Sequence, residues 1–105
     1  MSAEVSLFYV TFPDAKTAQK ISTVLLEEQL VACTNLFPEI QSQYLWKNKI
    51  ESSRECVMIL KSLRRLKEPL QARLQTLHPY EVFCFLEIDI PAGNPDYLTW
   101  LKSSL

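Results

Sequence analysis

The chain's clearest chemical opportunity is a five-residue run, Leu77-His78-Pro79-Tyr80-Glu81, which holds its only histidine. An imidazole titrates near neutrality and coordinates soft divalent ions, and a carboxylate three positions on can add an oxygen donor once the chain has turned. One His and one Glu are too few for a tight metal site, so further ligands have to come from elsewhere in the chain or from another subunit. Two other uses fit the same residues. His78 can serve a small-molecule site or act as a general base. Alternatively it caps the last carbonyls of the preceding helix while Glu81 holds a backbone or interface hydrogen bond.

Three cysteines, Cys33, Cys56 and Cys84, form no CxxC pair and cannot all pair within the chain. Set among apolar neighbours, they read as buried free thiols in a reducing cytosol, and Cys-His catalysis requires one of them to fold beside His78. Lys61, Arg64, Arg65 and Lys67 make a basic segment, either an anion site at a helix start or a solvated turn. Tyr44 and Trp46 share a strand face that can stack a ligand or fill an interface. One glycine leaves no room for a phosphate loop or dinucleotide fingerprint, and no nucleophile elbow or paired carboxylates occur. The loop Phe12-Pro13-Asp14-Ala15 does not resemble a phosphate cradle either. The expectation is a protein without catalytic activity.

A formal net charge of −1 gives no field for nucleic acid, and no apolar run approaches a membrane span. Glu4 and Asp14 bracket a short apolar run that does not read as a secretory signal, so a cytoplasmic protein is expected. The length suits one domain, residues 1–105.

The elements that position these residues follow from period and punctuation. Val5 to Phe12 carries large apolar groups on both sides, as a central strand does. Pro13 stops it, Asp14 is a good N-cap, and Ala15, Ala18, Ile21 and Leu25 follow the helical period to about Glu28. Val31 to Phe37 reads as a strand, Pro38 as a bulge, and extended alternation resumes through Trp46. Asn48 takes the left-handed position of the turn, and a strand from Ile50 to Lys61 returns. A second helix begins near Leu66, with Pro69 in its first turn and Leu66, Leu70, Leu74 and Leu77 on one face. Tyr80 to Ile90 reads as the last main strand, with Val82, Cys84, Leu86, Ile88 and Ile90 on one side, before a short helix over Asp96–Leu101.

The order β-α-β-β-α-β plus a short helix predicts an α+β, ferredoxin-like split β-α-β sheet with both main helices on one face. Its other face would be apolar and its long central hairpin would offer open edges. Association between copies removes both liabilities.

Taken together, Val10-Thr11-Phe12-Pro13, Leu30-Val31-Ala32-Cys33-Thr34-Asn35-Leu36-Phe37-Pro38, Tyr44-Leu45-Trp46, Ile59-Leu60-Lys61-Ser62, His78-Pro79-Tyr80-Glu81 and Gly93-Asn94-Pro95-Asp96-Tyr97-Leu98-Thr99-Trp100 resemble the CutA family of divalent-cation tolerance proteins. The resemblance covers nearly the whole chain, in order. It implies a cytoplasmic, ferredoxin-like homotrimer similar in form to the PII signalling proteins, with hairpins and last strands joining subunits, and a link to copper and other divalent metals. Asn48 stands where the family usually has glycine, and Phe83 where it usually has proline. The copper site proposed in the family takes a first-strand cysteine and two adjacent histidines, positions held here by Val10, Leu77 and His78. Two readings follow. One is a copper or divalent-cation tolerance protein binding metal weakly at the subunit interface through His78, Glu81 and Cys33. The other is a trimeric scaffold or sensor taking a small anion or a protein partner in the intersubunit cleft.

Overall fold

Phe8, Val10 and Phe12 are fully buried, while Leu7, Tyr9 and Thr11, which alternate with them, are half-buried. They belong to β1 (Val5–Phe12), which lies inside the sheet with a strand on either side. The computed structural model describes residues 4–105, so the first three residues of the expected domain span lie outside the described part.

Asp14 caps α1 (Ala15–Glu27) as its position predicts, accepting the Thr17 N–H at 2.7 Å. The helix ends in a Schellman motif: Leu30 N–H bonds Leu25 O and Gln29 N–H bonds Leu26 O, with Gln29 left-handed at φ 56°. Leu30 then packs on the core that holds Leu25. A side chain at that φ is strained, so Gln29→Gly will raise stability by about 0.5–1 kcal/mol in chemical denaturation. A loss of stability would contradict this account of the helix end.

β2 (Cys33–Trp46) and β3 (Lys49–Leu63) form the long hairpin. The register shifts between Phe37 and Ile40, where Pro38 withholds a donor, and pairing resumes to Trp46–Lys49. Both turn residues, Lys47 at φ 50° and Asn48 at 65°, are left-handed, one more than expected. β3 runs past Lys61 to Leu63. A single 3-10 turn, Arg64–Leu66, then leads into α2 (Lys67–Leu77), with Pro69 in its first turn as required.

The last strand is shorter than expected. β4 spans Phe85–Ile90, and Tyr80 to Cys84 are not strand, because the chain there bends around the His78 ring. α3 (Pro95–Ser103) is capped by Asn94, whose side chain accepts from the Asp96 and Tyr97 N–H groups.

The sheet order is β2-β3-β1-β4, antiparallel throughout, which is the split β-α-β arrangement predicted. One face carries the main core: Phe8, Val10, Phe12, Met58 and Leu60 pack with Ala18, Ile21 and Leu25 of α1 and Leu70 and Leu74 of α2. On the other face Leu101 of α3 packs with Val5 and Leu63. Cross-strand register places Leu86, Tyr9, Ile59 and Asn35 in one row of that outer face, and Ile88, Leu7, Lys61 and Cys33 in the next. α3 leaves much of it open: Leu86 is 58% and Ile88 45% exposed, and Phe37 is exposed as well.

Candidate functional site

His78 ends α2 with its backbone N–H on Leu74 O, yet its ring does not cap that helix. The ring crosses to β1 instead, where Nε2–H donates to Thr11 O at 2.8 Å, and Nδ1 accepts the Tyr80 N–H at 3.1 Å. These partners define the neutral Nε2–H tautomer. Phe12 stacks on one ring face at 4.7 Å and Phe83 on the other at 4.8 Å. The residue is 7% exposed.

Burial disfavours the imidazolium and lowers the His78 pKa, and this outweighs the opposing pull of the Thr11 carbonyl and the Glu55 charge. The unfolded ring protonates near 6.5. Below that pH the unfolded chain binds a proton that the folded chain refuses. The contribution of His78 to stability is therefore complete above about pH 6.5 and declines as pH falls towards the lower folded value. Urea unfolding at about pH 7.5 and about pH 5.5 will show a larger loss for the wild type than for His78→Phe, which cannot titrate. Equal losses would contradict the buried neutral ring.

Tyr80 adds a second tie. Its hydroxyl donates to Glu55 Oε2 at 3.0 Å, linking the loop after α2 to the hairpin. Desolvation, then the Glu55 carboxylate, push the phenol up to about 12. Sequence reasoning missed Glu55, since nothing in the polar stretch Glu51–Glu55 distinguishes it and its partner lies 25 residues away. It likewise missed Phe83 as the cover of the imidazole.

The expected ligands are not gathered within the chain. Glu81 and Val82 are exposed, Val82 at 89%. Cys33 pairs with Lys61 on the outer face, while His78 stacks on Phe12, whose strand partner is Cys56, on the helix face. Five strand positions, roughly 17 Å, and the sheet itself separate them. Among the described residues no three His, Cys, Asp or Glu side chains are grouped to hold a metal ion. Taken as one chain, the donor set does not fit a divalent cation.

The remaining candidates are committed elsewhere. Both ring nitrogens of His78 bind backbone groups, so no thiol is paired with them; burial pushes the Cys56 and Cys84 thiols up, away from the thiolate. Lys61 donates to the Tyr97 hydroxyl at 3.2 Å, Arg64 meets Asp89 at 3.5 Å and Lys67 meets Glu87 at 3.8 Å. Two of the four cations of the basic segment, Arg64 and Lys67, are thus paired with carboxylates of their own chain. Tyr44 and Trp46 stand exposed along the hairpin.

Residues 6–104 match the family described as CutA1 divalent ion tolerance protein. The chain belongs to this family. A divalent-cation tolerance protein CutA of Pyrococcus horikoshii is 44% identical over 90% of this chain and 92% of its own length. The crystal structure of the stable protein CutA1 from a psychrotrophic Shewanella species superposes with a TM-score of 0.94 at 35% identity, covering 99% of this chain and 97% of that one. A structure described as the periplasmic divalent cation tolerance protein CutA of Archaeoglobus fulgidus gives 0.91 at 31% identity, covering 95% and 97%. The chain spans about half the length of its mouse and human relatives, 55% in each case. These family names denote tolerance proteins, not enzymes. Among the described residues no helix is long and apolar enough to cross a membrane.

Proposed function

We propose that this family member acts in divalent-cation tolerance as a non-enzymatic homotrimer that holds Cu(II) or another divalent cation weakly between chains. The supporting observation is the outer face of the sheet. Leu86 and Ile88 are exposed beside half-buried Leu7 and Tyr9, and β2 and β4 each have one unpaired edge. Such edges and apolar faces are stable in water when another copy covers them. The hairpin adds exposed Leu45, Trp46 and Ile50 to the same requirement.

Cation binding in this reading falls between chains, because one chain does not bring donors together. Glu81 is exposed and Cys33 partly exposed, so both are open to contact from a second copy in this reading. His78, the third expected donor, would first have to leave Thr11 and Tyr80. The three free cysteines fit a reducing compartment, and we place the protein in the cytoplasm on that ground.

Calorimetric titration of the metal-stripped protein with Cu(II) and with Zn(II) tests the cation reading. Weak saturable uptake, lost in the Cys33→Ser/Glu81→Gln double variant, is the expected result. No uptake of either cation by the wild type would overturn it.

A further inference from the structure

The stacking of Phe83 on His78 bears directly on what the lone imidazole can do. An imidazole coordinates a metal along an in-plane nitrogen lone pair. In His78 the Nε2 direction carries a proton donated to Thr11 O, and the Nδ1 lone pair accepts the Tyr80 N–H. The two ring faces are closed by Phe12 and Phe83 at interplanar angles of 19° and 12°. Neither nitrogen can be offered to a cation while these contacts hold. Releasing the ring would also leave a carbonyl of β1 and an amide of the loop without these partners at partly buried positions, where unpaired polar groups are costly. Tyr80 Oη on Glu55 further holds the loop in place from the hairpin side.

We propose that His78 is a structural clamp, fixed as the neutral Nε2–H tautomer, which pins the segment after α2 onto β1, and that the imidazole is not a ligand for any divalent cation this chain takes up. This stands whether or not a cation binds between chains at Glu81 and Cys33, and fails separately from that reading. Phe83 is integral to the clamp, since it supplies the second wall and stacks edge-on against Phe85 of the last strand. The role assigned to His78 is therefore to fix the path of Pro79–Cys84, and with it the position from which Tyr80 reaches Glu55.

A chain with one histidine allows a direct test on the full-length, metal-stripped wild type. Ring-nitrogen NMR of histidine-labelled protein reads the tautomer, first alone and then with a stepwise excess of Zn(II). Electron paramagnetic resonance of the same protein with Cu(II) reads any imidazole nitrogen bound to the metal. The expected result is the Nε2–H pattern, unchanged by Zn(II), with no imidazole coupling to Cu(II). That holds equally if cations bind through other donors or do not bind. A Zn(II)-dependent shift at either ring nitrogen, a different resting tautomer, or imidazole coupling in the Cu(II) spectrum would overturn the proposal.

Discussion

His78→Ala will cost about 3–5 kcal/mol of stability, the range for deleting a large buried ring. Three losses combine. The space between Phe12 and Phe83 is left as a cavity, since both rings belong to packed surroundings that relax only in part. Thr11 O and the Tyr80 N–H lose their partners at partly buried positions, at up to about 1–3 kcal/mol each where water does not take the ring's place. The loop then loses one of its two ties, leaving Tyr80–Glu55 alone. His78→Phe separates the terms: it keeps the stack and forfeits only the hydrogen bonds, so it should fall between the wild type and the alanine variant. Denaturant unfolding at one fixed protein concentration is the measurement, because the proposed assembly would make apparent stability depend on concentration. A His78→Ala effect below about 1 kcal/mol would show that the ring is dispensable and that the clamp is wrongly described.

Placing charge on the outer face will have the second large effect. Leu86 and Ile88 are exposed in the single chain, so Leu86→Lys with Ile88→Lys should change the intrinsic stability of one chain by little, within about 0.5 kcal/mol per site. In an assembly that buries this face, two unpaired ammonium groups would be trapped where apolar contacts stood. Losing two central anchors at about 2 kcal/mol each weakens association by roughly a thousandfold. Sedimentation of the double variant should therefore show single chains at micromolar concentration where the wild type is associated. A variant that assembles like the wild type would mean that association does not use this face.

Much of the architecture was legible because it is local. Asp14 before an apolar helical stripe, Pro38 inside a strand and Pro69 in a first turn each act within a few residues of themselves, and each stands where its chemistry requires. The apolar residues on both sides of Val5–Phe12 likewise announced an inner strand. What escaped was set by contacts distant in sequence. His78 caps α2 with its backbone N–H on Leu74 O, but its ring meets Thr11 across 67 positions, a partner that no reading of neighbouring carbonyls reaches. The same insertion of the ring bends the chain and delays the last strand from Tyr80 to Phe85. Glu81, three residues from the histidine, was the natural carboxylate to name, whereas the one engaged by the loop is Glu55 on the facing hairpin. Gln29 and Lys47 adopt left-handed backbone without being glycine or asparagine, which no pattern of residue types signals.

The central claim is that this fold is finished by other copies of itself, and the mass of the wild-type protein in solution tests it most directly. Light scattering coupled to size exclusion, at neutral pH and without added metal, should give three times the chain mass of 12.2 kDa. A mass of one chain, stable across micromolar concentrations, would contradict it.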